Sequence, residues 1–178
     1  MKIYIFSEFY SEDLTSSGYY ITEIAQNYAL THDVTVITTS KVNKTATLIE
    51  NGVNIKRISI QNFNKFNLLK RALAFLNICQ LFYKEALKLD IDKESHVIAV
   101  TNPALFIPFI AYLKSSLKFK LTIFVHDVFP ESLVATKVLS SYNPFYLVLL
   151  KIFNKSYKIA DQIVVCGRDM EMLFKRKL

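Results

Sequence analysis

Short apolar runs rich in β-branched and aromatic residues alternate with longer helix-like segments along the whole chain, and this alternation limits the folds available. Parallel strands need long crossover connections, which the helix-like segments supply. The pattern therefore predicts one α/β domain of 178 residues, with a parallel sheet and right-handed crossovers. The predicted strands are residues 2–7, 34–38, 53–60, 96–100, 120–125 and 163–165. The predicted helices are residues 17–30, 68–90, 104–114, 130–139 and 143–158, and 168 to the end.

The clearest candidate site follows the predicted strand Leu121–Val125. The apolar run stops there at His126 and Asp127, and Pro130 and Glu131 then open a helix. Ligands of open α/β sheets bind beyond the carboxyl ends of the strands, and a histidine can carry a proton or contact a phosphate. His126 and Asp127 are therefore candidates for a chemical role, with Asp127 able to accept a hydrogen bond from a sugar hydroxyl. In the alternative interpretation, both residues only cap the following helix and satisfy loop backbone groups.

Small residues stand where the first helix should begin. Ser17 and Gly18 would let backbone N–H groups at a helix amino terminus approach a phosphate, and the alternative is an ordinary serine N-cap. Thr101-Asn102-Pro103 follows another predicted strand, where it could form a cleft wall or merely start the next helix. The chain has three glycines, which do not form the GxGxxG fingerprint of a dinucleotide-binding site.

The residue inventory gives little support for a metal site or a nucleophilic serine. Three histidines are scattered, without an HExxH motif or a cysteine cluster, and neither a GxSxG elbow nor a Walker loop occurs. We expect His32 and His96 to be turn residues. Asp90-Ile91-Asp92 has the spelling of an Asp-x-Asp metal motif, but it follows a predicted helix among charged residues, so we expect a solvated turn. We predict no metal and no cofactor.

A basic and apolar composition suggests a polyanionic or membrane partner. The net charge is +7, and 52% of the residues are hydrophobic. No nucleic-acid-binding signature occurs, so we expect no nucleic-acid partner. The segments Leu68–Leu89 and Phe145–Phe153 fit either a surface on an anionic bilayer or helices buried in the core or against a partner. The local basic groups are Lys65/Lys70/Arg71, Lys114/Lys118/Lys120, Lys151/Lys155/Lys158 and Lys175/Arg176/Lys177.

The sequence predicts a cytoplasmic location. No apolar run reaches the roughly 18–20 residues that a membrane-spanning helix needs. Glu8, Glu12 and Asp13 interrupt the amino terminus before a signal-peptide core could form. Cys79 and Cys166 have no paired framework or CxxC spacing, which is typical of a reducing compartment. We expect the protein in the cytoplasm, with a peripheral position on the inner face of the plasma membrane as the variant that suits its basic, apolar segments.

Several segments resemble, in order, the amino-terminal domain of glycosyltransferase family 4, in particular the bacterial capsule, colanic-acid and O-antigen transferases. The Asp-x-x-Pro-Glu-Ser element that ends at Ser132 is the most specific of them. The resemblance spans essentially the whole chain and implies a Rossmann-like parallel sheet sandwiched by helices, one half of a GT-B glycosyltransferase fold. The matching segments are Lys2–Tyr10, Tyr20–Thr38, Thr101–Pro103, Val125–Ser132 and Ala160–Val165.

The resemblance also implies an activity. Family members move a sugar from a nucleotide-sugar to a saccharide acceptor, commonly linked to polyprenyl diphosphate, with retention of anomeric configuration and without a metal. By position, the resemblance places His126 and Asp127 at the reacting sugar or acceptor as catalytic residues. Contacts to the acceptor or the donor phosphates would come from Ser17, Gly18, Tyr19, Asn102 and Glu131.

The chain also departs from the family pattern. Ser11 stands near the family's usual proline, the second glycine of the first turn is missing, and Thr31 replaces a glycine. The donor-binding half normally carries two glutamates eight positions apart, and no such pair occurs. We therefore expect residues 1–178 to form a single acceptor-binding domain without the donor-binding domain, inactive alone: a split-enzyme subunit, an excised domain or a truncated gene product. The alternatives are a non-catalytic nucleotide- or glycan-binding or membrane-docking module, and an unrelated flavodoxin-like phosphate binder.

Overall fold

The computed structural model describes residues 1–11, 13, 15–40, 45–60 and 68–178, with side chains from residue 73 onward in the last range. The basic group Lys65/Lys70/Arg71 lies outside the described side chains. In these ranges the strands are β1 (Lys2–Phe6), β2 (Asp33–Ser40), β3 (Ala46–Glu50), β4 (Val53–Ser59), β5 (His96–Val100), β6 (Lys120–Val125) and β7 (Gln162–Val165). The helices are α1 (Ser16–Ala29), α2 (Leu68–Ala86), α3 (Phe106–Leu117), α4 (Glu131–Ala135), α5 (Pro144–Ile159) and α6 (Arg168–Lys177).

The strands form one sheet in the order β3-β4-β2-β1-β5-β6-β7, and every pairing is parallel except β3 with β4. From β1 the chain builds outward through β2 to β4, then crosses to the other side of β1 and continues through β5, β6 and β7. This reversal leaves a crevice between the carboxyl ends of β1 and β5, the place where open α/β sheets bind ligands. The predicted α/β, Rossmann-like fold is confirmed.

The antiparallel edge strand β3 is absent from the sequence-based prediction. β3 turns into β4 at Asn51 and Gly52, whose φ angles are 50° and 78°. Two consecutive residues with positive φ match the twist of a tight hairpin, and Asn-Gly is the pair that adopts them most readily. The Asn-Gly pair was the signal for this hairpin. The sequence of β3 itself gives only a weak signal of a strand, because its apolar residue Ile49 is exposed.

Helices cover both faces of the sheet and divide the core in two. On one face, α1 packs through Ile21 and Ala25 against the strands at the centre of the sheet. On the other face, α2, α3 and α5 pack together, where Phe82, Phe106 and Phe153 are fully buried. Strands buried on both faces read as nearly continuous apolar runs, which explains why β5 and β6 were recognisable from sequence.

Helix ends differ from the predicted ones where local backbone geometry outweighs the apolar periodicity. α2 ends at Ala86, not near Asp90, and α4 is a short helix that ends at Ala135. α3 continues past the predicted end to Leu117 and stops where Lys118 adopts a left-handed conformation, with φ of 62°. These differences move boundaries without changing the order of the elements.

The polar residues predicted in turns have mixed outcomes. His96 begins β5 and is buried, with Nε2 2.8 Å from the Thr122 hydroxyl, so its prediction as a turn residue is wrong. His32 lies in the turn after α1, as predicted. The Asp-x-Asp segment forms the predicted solvated turn, in which the Asp92 carboxylate accepts a hydrogen bond from the Ser95 hydroxyl at 2.7 Å.

Candidate functional site

The loops that follow β1, β2 and β5 are tied together by short hydrogen bonds at the carboxyl edge of the sheet. The Glu8 backbone N–H donates to the Asn102 carbonyl at 2.8 Å, which joins the ends of β1 and β5. The Thr38 and Thr39 hydroxyls donate to the Glu8 carbonyl at 3.1 and 2.8 Å, which adds the end of β2. Asn102 therefore lies at the crevice where the strand order reverses, the position predicted for a cleft wall.

A buried threonine extends this network to the end of β6. Thr101 Oγ1 accepts hydrogen bonds from the backbone N–H groups of His126 and Asp127, at 3.0 and 3.3 Å. Helix α4 begins later, at Glu131, and no side chain caps its first turn. The interpretation of His126 and Asp127 as helix caps is therefore wrong, because neither side chain caps α4. Their backbone N–H groups are instead held by a residue that follows β5. We call this hydrogen-bonded edge (Glu8, Thr38, Thr39, Thr101, Asn102, His126 and Asp127) the rim.

The His126 imidazole is half-buried and lies beside Cys166 at the end of β7. Its Nδ1 lies 3.4 Å from the Cys166 sulfur, and its Nε2 is buried without a hydrogen-bond partner among the described residues. Burial lowers the pKa of His126, and the neighbouring Asp127 carboxylate opposes that effect. The ring is therefore neutral at neutral pH and can accept a proton, beside an exposed carboxylate. Cys166 was not expected here. The parallel pairing of Val125 with Val165 brings it there, because that register places the next residues of both strands side by side.

The start of α1 is built by a threonine cap and a tightly packed glycine. Thr15, not a serine, is the N-cap, and its hydroxyl accepts from the Gly18 N–H at 3.0 Å. A Cβ on Gly18 would lie 2.9 Å from the Asp13 carbonyl oxygen, so only glycine fits there without a shift of the loop. Ser17 is buried, and Tyr19 is exposed. Close packing explains this glycine without a ligand, and the contact of Ser17 and Gly18 with phosphate stays a prediction.

A shallow cavity of about 470 Å³ lies beside the start of α1. The Asp13 carboxylate in its lining accepts from the Tyr10 N–H at 3.1 Å and disfavours a bare phosphate nearby. Arg57, buried in β4, donates from Nη2 to the Ser11 hydroxyl at 3.0 Å and brings a positive charge to the same loop. Sequence patterns did not indicate Arg57, because a buried cation inside a strand has no local motif. The lining residues are Ser11, Asp13, Thr15, Ser16, Tyr19, Tyr20 and Thr22.

Glu131 belongs to a separate cluster between α4 and α6. Its carboxylate pairs with Lys177 at an N···O distance of 2.7 Å, and the Lys177 ammonium lies 4.9 Å from the centre of the Tyr157 ring. The Tyr157 hydroxyl in turn donates to the Phe129 carbonyl at 3.3 Å, which anchors the loop before α4. We call Glu131, Lys177, Tyr157 and Phe174 the α4–α6 junction. The structure therefore gives Glu131 a partner on α6, and its contact with a substrate stays a prediction.

The described part of the chain offers neither a metal-binding cluster nor a membrane-spanning helix. Among the described residues, no three His, Cys, Asp or Glu side chains lie close enough to hold a metal ion. None of the helices in the described ranges combines the length and apolarity that crossing a membrane requires.

The chain is similar to one part of a larger protein. The chain is 34% identical over 179 aligned residues to "Probable glycosyltransferase WbjE" of Pseudomonas aeruginosa. The alignment covers 99% of this chain and 44% of the relative, so the chain spans less than half of that protein's length. No protein-family model matches the chain. Over nearly its whole length, the chain is thus similar to part of a probable glycosyltransferase, a finding that supports the glycosyltransferase resemblance in its general form.

Proposed function

We propose that this chain is the acceptor-side domain of a retaining, metal-independent glycosyltransferase of family 4, with a GT-B architecture. The rim carries the proposal: it holds a neutral imidazole and a carboxylate at the carboxyl edge of a parallel sheet, next to the crevice where the strand order reverses. The similarity to a probable glycosyltransferase supports the same conclusion.

The proposed reaction breaks the bond between the anomeric carbon and the diphosphate of a nucleotide-sugar. An acceptor hydroxyl oxygen forms the new bond to that carbon, and the nucleoside diphosphate leaves with the electron pair of the broken bond. The hydroxyl proton passes to the Asp127 carboxylate. Asp127 is exposed and can accept a hydrogen bond from a sugar hydroxyl. The neutral His126 ring has an Nε2 without a partner among the described residues, which could accept a hydrogen bond once a substrate reaches it. Asn102 follows β5, and Tyr19 lies in the first turn of α1, the helix after β1. Both are therefore candidate acceptor contacts at the carboxyl edge of the sheet.

We propose that a second, donor-binding domain completes the enzyme, in the same polypeptide or in a separate one. The rim offers groups for hydroxyls, but the described residues show no built cradle for a nucleotide diphosphate. Ser17 and Gly18 are the candidates for a backbone contact with the donor phosphates from this side. The part of the relative that does not align with this chain would bear on its activity only through such a second domain.

The substrate class we propose is a nucleotide-sugar donor and a saccharide acceptor linked to polyprenyl diphosphate, in the assembly of a surface polysaccharide such as capsule or O-antigen. The net charge of +7 supports a partner that carries diphosphate and sits in an anionic membrane. A peripheral location on the inner face of the plasma membrane follows from the same proposal.

Reconstitution tests this function. The chain would be purified alone and together with a donor-binding domain of the same transferase type, and transfer from a panel of nucleotide-sugars to a short-chain polyprenyl-diphosphate saccharide would be measured. We expect transfer only with both parts present, because the proposal assigns donor binding to the second domain. Turnover by the chain alone, or none with any donor-binding domain that binds it, would contradict the proposal.

A non-catalytic glycan-binding module is the second candidate, and one observation favours it. Tyr19 and Tyr20 expose their rings beside the cavity at the start of α1, with ring centroids 5.8 Å apart, and exposed aromatic rings are suitable surfaces for sugars. Titration with oligosaccharides separates the two. A binder would show saccharide affinity that Tyr19→Ala removes and would never support transfer with a donor-binding domain.

A further inference from the structure

We propose that the outer face of α5, together with Tyr142 in the turn before it, docks the protein on an anionic phospholipid surface. This inference rests on the proposed function in one respect, since a lipid-linked acceptor would bring the enzyme to such a surface. The contact itself involves neither the rim nor a donor sugar, so it can be tested without transfer.

The inner face of α5 is fully used by the fold. Tyr146, Phe153 and Tyr157 are buried and recur at the spacing of one helix face. Phe153 packs against Phe129 with ring centroids 4.8 Å apart, and α3 packs along the same side. The residues on the opposite face are therefore not needed for the core.

That opposite face carries a stripe of exposed apolar side chains. Phe145, Val148 and Ile152 lie three and four positions apart, which places them in one row along the helix. Phe145 is 62% exposed and Tyr142, just before the helix, is 88% exposed. An interfacial helix needs such a row, since burial of its apolar side chains among lipid headgroups and acyl chains is what drives its binding.

A row of lysines runs beside the apolar one. Lys151, Lys155 and Lys158 are spaced by four and three positions and are exposed, and α5 contains no acidic residue. None of the three takes part in an ion pair among the described residues, whereas the lysines on neighbouring α3 and α6 that face acids, Lys114 and Lys177, are both paired. The α5 lysines therefore keep their charge available for lipid phosphates.

The mixture of lysine and apolar residues favours a lipid surface over a protein partner. Lysine is depleted in protein–protein interfaces, because its strongly hydrated ammonium is costly to bury there. At a bilayer the same side chain lays its stem on the apolar layer and keeps the ammonium among anionic headgroups. Tyrosine is enriched at that depth as well, which suits Tyr142.

Vesicle flotation tests the proposal. The chain would be mixed with vesicles of phosphatidylglycerol and phosphatidylcholine, or of phosphatidylcholine alone, from low salt to roughly 0.5 M salt. We expect binding to the anionic vesicles only, with loss at high salt. K151Q/K155Q/K158Q should weaken partitioning into the vesicles roughly 100-fold, since each of the three lysines contributes about equally to the attraction to an anionic surface. F145S should weaken it about tenfold, because a largely exposed phenyl ring no longer enters the bilayer.

The matched control is K84Q/K93Q/K120Q, which removes three exposed lysines that lie outside α5 and changes the net charge equally. Circular dichroism of each variant verifies that it is folded. Equal loss in the control triple would overturn the proposal in favour of diffuse charge attraction. Equal binding to neutral vesicles, or a dimer in sedimentation that F145S dissociates without any vesicle binding, would overturn it in favour of a purely apolar or protein contact. A failure of sugar transfer would leave these vesicle results unchanged.

Discussion

The rim and the α4–α6 junction both use residues of the His126–Ser132 segment, but they are held in different ways. In the rim, backbone N–H groups bond to the hydroxyl of Thr101, which follows another strand, so the Asp127 carboxylate stays exposed and His126 Nε2 has no partner among the described residues. In the junction, the Glu131 side chain is itself occupied by an ion pair with Lys177. Neighbouring residues of one motif can thus serve two roles: His126 and Asp127 offer side chains for chemistry, and Glu131 holds α4 against α6.

Substitutions that remove the two rim side chains should have the largest effect on transfer. In the reconstituted enzyme, His126→Asn and Asp127→Asn should each lower the rate about a hundredfold or more, because a positioned acid or base typically contributes that much. Glu131→Gln should lower the rate per folded molecule far less. Initial rates at saturating donor would measure this difference, and the reverse ranking would show that the junction, not the rim, contacts substrate.

Breaking the junction should instead reduce stability. Lys177→Met leaves a partly buried carboxylate without its cation and should cost about 2 kcal/mol in the free energy of unfolding, measured by urea denaturation. Lys175→Met is the matched control, since its pair with Glu171 is exposed and should contribute less than about 0.5 kcal/mol. Similar losses in the two variants would mean that the junction is no more than a surface pair.

Removing the Thr101 hydroxyl should cause a moderate loss of both the rate of transfer, which the rim controls, and the stability of the fold. Thr101→Val leaves two partly buried backbone N–H groups without their acceptor and should cost about 1–2 kcal/mol in unfolding free energy. Thr101→Ser keeps the acceptor and should restore most of it. Amide chemical shifts of His126 and Asp127 would move in the valine variant only. Unchanged shifts would show that the loop after β6 is positioned by something other than Thr101.

The smallest expected effect is a shallow loss of stability in mild acid. Burial lowers the pKa of both His126 and His96 in the folded protein, so the unfolded chain binds protons more readily as the pH falls below about 6.5. The stabilisation from the neutral rings is complete above that pH and is lost as the pH falls through the folded pKa values. Urea titrations between pH 7 and 5 should show the decline, and it should be smaller in His126→Asn and in His96→Asn. A flat profile for the unaltered chain would contradict the burial of these rings.

The sequence was most informative where apolar periodicity is strong. Strands such as β5 and β6 and the order of the helices were predictable, because buried strands and amphipathic helices leave repeating patterns. The placement of His126 and Asp127 beyond a strand was predictable for the same reason. The exposed edge strand β3 was missed, since its evidence lay in the Asn51-Gly52 turn and not in an apolar run.

Contacts between distant residues were not predictable in the same way. Thr101 supports His126 from 25 positions away, and Cys166 approaches the same ring from 40 positions away. Lys177 reaches Glu131 across a similar separation in the chain. Such pairings depend on strand register and helix packing, and no local spacing records them. The sequence therefore indicated which residues have chemistry to offer but not which of them the fold keeps occupied.

The Thr101 hydroxyl has a consequence for the dynamics of the site. Because it holds the peptide units of His126 and Asp127 at the end of β5, their backbone is anchored independently of α4, a short helix with no side-chain cap. A substrate that displaced α4 would not itself break these two hydrogen bonds. Under the proposed function, the entropy of ordering this stretch of backbone is spent when the domain folds, so less reorganisation is left for the transfer step.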